Sequence, residues 1–224
     1  MTTAAPYGSW VSPIAPASLT HGAVGLGGLT ADGEDLYWLE GRPTEGGRTV
    51  IVQRRPDNSI TDITPPGFNS RTRIHEYGGG GYGVAGGMVL SCAFEDQRIW
   101  RLDQPVRTAI TPEPQIEAGH RYGDFCFAGD RLICVRERHR EQGEPVNEIV
   151  SLPLNGSDSP RVEVSGHDFY STPCLSPNGR QLAWLAWNHP NMPWDGTELY
   201  VADIESGVVG EPVLVAGGLD ESIF

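Results

Sequence analysis

GGLTADGEDLYWLE (27–40) and PCLSPNGRQLAWLA (173–186) are one pattern written twice. With Leu29 set on Leu175, Asp32 meets Asn178, Gly33 meets Gly179, Leu36 meets Leu182 and Trp38 meets Trp184. The shared form is L-[ST]-x-[DN]-G-x-x-L-x-W-L. A D-G or N-G pair between two short apolar runs predicts a β-hairpin, because these residues accept the positive φ of a tight turn. The copies stand 146 residues apart, a distance that three repeats of about 49 residues fill.

The sequence between them supplies those repeats. Second strands are expected at LYWLE (36–40), MVLSCAF (88–94), RLICVRE (131–137) and QLAWLAW (181–187). Third strands are expected at RTVIVQR (48–54), QRIWRLD (97–103), NEIVSLPL (147–154) and TELYVADI (197–204), with centres Ile51, Trp100, Ser151 and Tyr200 spaced by 49, 51 and 49 residues. Fourth strands follow at DIT (62–64), TAIT (108–111), VEVS (162–165) and VLVA (213–216). Four short strands per repeat predict an all-β fold, a partial β-propeller of about four antiparallel four-stranded blades. A β-sandwich has no reason to keep third-strand spacing so constant, and helical i, i+3, i+4 patterning is essentially absent.

The organisation read from this phasing is an N-terminal arm at 1–20 and a partial propeller at 21–216. Its blades lie near 21–66, 80–111, 124–165 and 171–216. The last stretch, 217–224, reads as the start of a truncated fifth blade.

Composition agrees. The 224 residues include 29 Gly and 18 Pro, which favour short strands and tight turns over long helices. The formal charge is −13 and all 16 basic residues are Arg, an acidity that argues against nucleic acid as a partner. No apolar run approaches the roughly 18 residues of a membrane span, and the first residues lack the form of a secretory signal. Cys92, Cys126, Cys134 and Cys174 show no C-x-x-C spacing and read as free thiols among apolar neighbours. A cytoplasmic protein is expected.

Phasing also locates the crossovers from each outer strand to the next inner strand: 65–81, 111–124, 165–173 and 217–224. Each carries an acid and an aromatic: Glu76 with Tyr77, Asp124 with Tyr122, Asp168 with Tyr170, and Glu221 with Phe224. Equivalent crossovers emerge on one face, so these side chains, with Arg71, Arg73, Arg121, His75 and His167, are candidates to ring one mouth of the central channel. They form either a ligand surface or acid–arginine pairs that tie successive blades together. RERHREQGEPVNEI (136–149) reads as a solvated charged hairpin. In AWNHPNMPWDGTELY (186–200), Trp187 and Trp194 read as packing residues.

Several chemistries are excluded by context. Gly78, Gly80 and Gly83 spell G-x-G-x-x-G within RTRIHEYGGGGYGV (71–84), but they run into a strand, with no helix to present its N-terminus to phosphate. No G-x-S-x-G nucleophile elbow is present. The six histidines show neither H-x-x-x-H nor H-E-x-x-H zinc spacing. No catalytic residue, cofactor or metal ligand is therefore assigned. Channel carboxylates holding a hard cation such as Ca²⁺ form a weaker alternative.

YGSWVSPI (7–14), LYWLEGRPTEGGR (36–48), GFNSRTRIHEYGGG (67–80), DQRIWR (96–101), GEPVNEIV (143–150), GHDFYSTPCLSPNG (166–179), LAWLAWNHPNMPWDGTELYVAD (182–203) and ESIF (221–224) resemble, in order, the N-terminal propeller of the prolyl oligopeptidase family of serine peptidases. The bacterial acylaminoacyl-peptidase or dipeptidyl-aminopeptidase-like branch is the nearest group. The resemblance implies a propeller of about seven blades ahead of an α/β-hydrolase domain that carries a Ser-Asp-His triad. It also implies short peptides as substrates, and propeller acids, here Glu76 or Glu221, as binders of a substrate amine. The expectation is a non-catalytic propeller portion that gates or binds peptides for a hydrolase domain lying outside this sequence. The alternative is a stand-alone binding or scaffold module that self-associates through open blade faces.

Overall fold

The computed structural model describes residues 4–12, 14–15 and 22–223. Part of the predicted N-terminal arm, residue 21 of the first predicted blade and Phe224 lie outside the described residues. Among the described residues there is no α-helix; a short 3-10 turn spans Pro43–Glu45.

Four antiparallel sheets follow one another along the chain, each built in sequence order from its inner strand outward. The first comprises β1 (Gly25–Asp32), β2 (Asp35–Arg42), β3 (Arg48–Arg54) and β4 (Ile60–Asp62). The second comprises β5 (Tyr82–Ala85), β6 (Met88–Cys92), β7 (Ile99–Arg101) and β8 (Thr108–Ala109). The third holds β9 (His120–Ala128), β10 (Arg131–Arg138), β11 (Val146–Pro153) and β12 (Arg161–Ser165). The fourth holds β13 (Phe169–Leu175), β14 (Gln181–Trp187), β15 (Glu198–Glu205) and β17 (Val213–Gly217), with a small extra strand β16 (Val208–Val209) on β15. Inner strands of successive sheets lie side by side, the arrangement of a partial β-propeller.

The two copies of the founding pattern turn differently. Asp32 pairs Asp35 across a two-residue loop, and Gly33 has φ +61°, the conformation a type II′ hairpin requires of its first central residue. The Asn178–Gly179 copy sits in a wider loop, with Leu175 paired to Leu182 and the Asn178 side chain capping the amide of Arg180. The predicted outer strand DIT is displaced to residues 60–62, while Ile63 N–H and the Thr64 hydroxyl continue its bonding to Ile51.

The core is three seams, each between neighbouring sheets. Tyr37, Ile51, Phe68 and Val89 fill the first; Leu90, Tyr122, Leu132 and Cys134 the second; Ile133, Val135, Tyr170, Leu182 and Trp184 the third. Period-2 alternation explains why β10 is apolar throughout: Leu132 and Cys134 face the sheet before, Ile133 and Val135 the sheet after. The outer faces of the first and fourth sheets remain open, exposing Leu26 and Leu29 on one and Val213 and Val215 on the other.

Each long inner strand also carries a bulge with positive φ, at Gly28 (+58°), Asp124 (+56°) and Thr172 (+48°). Around these bulges the seams are laced. Asp32 accepts the amides of Gly86 and Gly87 at 3.0 and 2.6 Å, and the Tyr82 hydroxyl donates to Gly28 O. Asp124 accepts Gly80 N–H at 2.8 Å and Thr172 N–H at 3.0 Å, and its own amide donates to Gly80 O. Glycine at 80 is required by this close approach, since a Cβ there would stand 2.9 Å from Asp124 Oδ1 and 3.4 Å from its Cα.

Candidate functional site

The crossover RTRIHEYGGGG is anchored from below and bent at its tip. Thr72 Oγ1 donates to Tyr122 O at 2.6 Å, Gln97 Oε1 accepts Arg73 N–H at 2.6 Å, and Ile74 is buried in the third-seam cluster. The chain then reverses through His75 (φ +53°) and Glu76 (φ +66°), two consecutive non-glycine residues in the left-handed region. Such a pair persists only where its surroundings hold it. Here Glu137 Oε2 accepts His75 N–H at 2.7 Å, and Glu76 N–H and Gly78 N–H close turns onto Arg73 O and Ile74 O.

Beneath this tip runs a chain of charges. Arg121 Nη1 lies 2.6 Å from Glu76 Oε1 and 3.1 Å from Glu137 Oε1, and donates to Arg73 O at 3.0 Å. His139 Nε2 lies 2.6 Å from the same Glu137 oxygen. The side chains of Glu137 and Arg121 are only 2% and 11% exposed, whereas that of Glu76 is 75% exposed. The Arg121 guanidinium holds the Glu76 carboxyl below the usual carboxylate range. Glu76, Glu137 and His139 bring three ligand-type atoms within 4.8 Å of one another, but Arg121 supplies the positive charge between the two acids.

Beside it stands an aromatic group drawn from the first and third crossovers and from the end of β14 with the loop that follows it. The His75 ring meets Tyr77, Phe169 and Trp187 at centroid distances of 5.8, 5.4 and 5.7 Å, and Phe169 stacks on Trp187 at 5.3 Å. His189 lies 4.9 Å from Phe169, with its amide and Nδ1 on Asp168 Oδ2 at 2.9 and 3.1 Å. The His189 amide holds the Asp168 carboxyl below its ordinary value. Glu76, Tyr77, Asp168 and His189 are exposed on this rim, over a buried floor of His75 and Trp187.

Burial lowers the pKa of His75 below 6.5, although Glu137 and Asp124 pull the other way. The unfolded chain therefore binds this proton more readily, and stability should be full above about pH 6.5 and fall as the pH drops below it. His120, also lowered by burial, acts in the same direction. Denaturant midpoints between pH 7.5 and 5.5 should fall more steeply for the native sequence than for His75→Phe, which keeps an aromatic ring and removes the titration. Equal slopes would show that His75 does not drive the change.

Other sequence candidates lie elsewhere. Tyr122 and Tyr170 are fully buried in the second and third seams, so they do not face the mouth; their strand register turns them inward. Asp124 is half-buried, with both carboxylate oxygens committed to backbone amides. Arg71 and Arg73 both lie over Phe94, at 5.2 and 5.5 Å. His167 packs against Tyr170 and Tyr200. Glu221 is exposed, and its carbonyl accepts Thr197 N–H, folding 218–223 back on the fourth sheet. Asp124→Ala should cost about 1–3 kcal/mol, two charge-assisted bonds being lost. A denaturant titration checks this, and Asp124→Asn, which keeps an acceptor, should cost less.

Sequence reasoning missed Glu137 and His139 by assigning 136–149 to a solvated hairpin. Arg136, Glu137, Asn147 and Glu148 are buried, with Arg136 Nη2 2.5 Å from Glu148. The available signal was parity, since Glu137 continues the Ile133–Val135 face of β10 toward the third seam. Trp187 packs as expected, but Trp194 is exposed.

Four antiparallel sheets with their inner strands side by side, and a charged and aromatic cluster near the crossover 65–81, define part of a β-propeller. A puromycin-hydrolyzing peptidase of Mycobacterium tuberculosis matches with a TM-score of 0.88 and 38% identity, over 98% of this chain and 36% of that one. A puromycin hydrolase matches with a TM-score of 0.88 and 31% identity, again over 98% and 36%. A prolyl endopeptidase structure, at 12% identity and a TM-score of 0.53, shares the fold. No protein-family model matches the chain, and no curated protein matches it. The chain belongs to the prolyl oligopeptidase family, as part of its β-propeller, and spans about a third of the length of these puromycin-hydrolyzing structures.

Proposed function

We propose that this propeller segment binds and admits short peptides for a serine-hydrolase domain, and that it performs no bond cleavage of its own. The observation that carries the reading is the exposed Glu76 carboxylate, held on a strained turn beside an aromatic floor. A fixed carboxylate on such a rim suits the ammonium of a free peptide N-terminus, with the neighbouring rings covering an apolar side chain. Two similar proteins named for puromycin hydrolysis support an amine-bearing, aminoacyl-type substrate. A dipeptidyl- or aminopeptidase-like action follows from a free amine, and an acylaminoacyl-peptidase action from a blocked one. The cytoplasm is the proposed location, in keeping with the four free cysteines.

Substrates with free and blocked amines separate these actions. In the protein that joins this propeller to its hydrolase domain, Glu76→Gln should raise KM for a free aminoacyl nitroanilide about tenfold, as loss of one charged contact of roughly 1.4 kcal/mol implies. The acetylated analogue should be unaffected. Equal effects on both substrates would remove the amine role, and turnover by the isolated chain would overturn the division of labour. The exposed apolar faces of the first and fourth sheets favour a second reading, a binding module that self-associates. A monomer with no uptake of an apolar dye would exclude it.

A further inference from the structure

We propose that two copies of this chain join front to back, the open face of the first sheet of one closing on the open face of the fourth sheet of the other. The contact rests on the self-associating reading above and gives it a geometry. Leu182 and Trp184 lie on the face of the fourth sheet that meets the third, and Trp184 is fully buried there. Their repeat equivalents, Leu36 and Trp38, occupy the same face of the first sheet, where no other sheet among the described residues stands opposite. The alternate residues Tyr37 and Leu39 turn to the second sheet. On the fourth sheet the alternates Ala183 and Leu185, paired with Val201 and Leu199, turn to the open side.

One molecule thus carries both halves of a seam, and two unlike halves make a heterologous contact between copies. Each half has its groove. That on the first sheet, about 410 Å³, lies among Leu26, Leu29 and Trp38; that on the fourth, about 720 Å³, lies among Val201, Val213 and Val215. Closing the first would bury Trp38 as the third seam buries Trp184. Charge favours the same direction of pairing. Asp203, Glu205 and Glu211 border the fourth-sheet groove. Arg54, paired with Leu36 and so on the Trp38 face, is bonded to Asn58 and to no carboxylate among the described residues. Arg54 and Glu205 are the last residues of their third strands, β3 and β15, so a seam built like the other three brings them to one rim. Two fourth sheets face to face would instead set acid against acid.

The net charge of −13 on each copy opposes the approach. The contact therefore fills as the chain is concentrated and empties on dilution. Cys174 reports on it in the native sequence. Its partner across the sheet is Ala183, which places this exposed cysteine on the open side of the fourth sheet. Cys92 and Cys134 are buried in the second seam and serve as internal references.

Sedimentation with complementation tests the contact. Leu26, Leu29, Val213 and Val215 are each between 58% and 74% exposed, so aspartate at these positions leaves the three internal seams in place. The native chain should associate as its concentration rises. The variant with Leu26→Asp and Leu29→Asp, and the variant with Val213→Asp and Val215→Asp, should each sediment alone as a monomer. Mixed one to one they should form a heterodimer of twice the monomer mass and grow no further, since each keeps the half that the other has lost. Alkylation of Cys174 in the native chain, read on tryptic peptide 162–180, should slow severalfold between dilute and concentrated chain. A native chain that stays monomeric removes the self-associating reading and this contact with it. Association that either variant keeps on its own, or that mixing fails to restore, overturns the front-to-back contact alone. So does a Cys174 rate that ignores concentration while the native chain associates, a result that depends on no variant folding.

Discussion

Glu137→Ala is expected to destabilise the chain by about 3 kcal/mol, the lower part of the range for breaking a buried ion pair. Glu137 is 2% exposed and satisfies three donors at once: the His75 amide, the Arg121 guanidinium and His139. Its loss strands an Arg121 that is itself 11% exposed and keeps only Glu76 and one carbonyl as partners. Glu137→Gln keeps an acceptor for the amide but not the charge, and should fall between. Equilibrium denaturation measures both. A loss well under about 1 kcal/mol would mean that Glu76 alone compensates Arg121. Replacing Glu137 and Arg121 together by Leu and Met should recover part of the loss, since an apolar pair leaves no uncompensated charge.

Trp184→Ala should cost about 3–5 kcal/mol, as large-to-small changes at fully buried aromatics do. Its ring is 1% exposed and stacks at 6.0 Å on Tyr200 within the third seam. The repeat-equivalent Trp38→Ala should cost about 1–2 kcal/mol, because partial burial yields only part of the transfer energy. Trp38 lies on the open side of the first sheet beside Leu26 and Leu29. Parallel denaturant titrations of the two variants test the contrast. Equal losses would show that the first sheet's open face is covered in solution.

That pair of tryptophans shows what the sequence could and could not reveal. The pattern L-x-W-L identified both as second-strand positions, and the predicted strands 48–54 and 181–187 match β3 and β14 residue for residue. Strand identity is local, carried by alternation and turn residues, so it was legible. Burial is set by which sheet stands opposite, so identical motifs differ in exposure. The same division runs through the rim. His75, Glu76, Tyr77 and Asp168 could be placed near one another because crossovers follow from strand phasing. Tyr122 and Tyr170 were misplaced because bulges and register decide which way a crossover residue turns. Glu137 and Phe169 were missed because each meets His75 from another blade, with a sequence separation of 62 residues between His75 and Glu137.

Asp124 gives the inner wall an uneven response to load. The first seam has its own fastenings, in Asp32 and Tyr82. The second and third share one carboxylate, with one oxygen on Gly80 and the other on Thr172. A tug that shifts β13 outward is therefore felt at β5 through a single rigid side chain, without travelling along any strand. Under shear the last three blades would yield together as one plate, and the first would part from them along its own line.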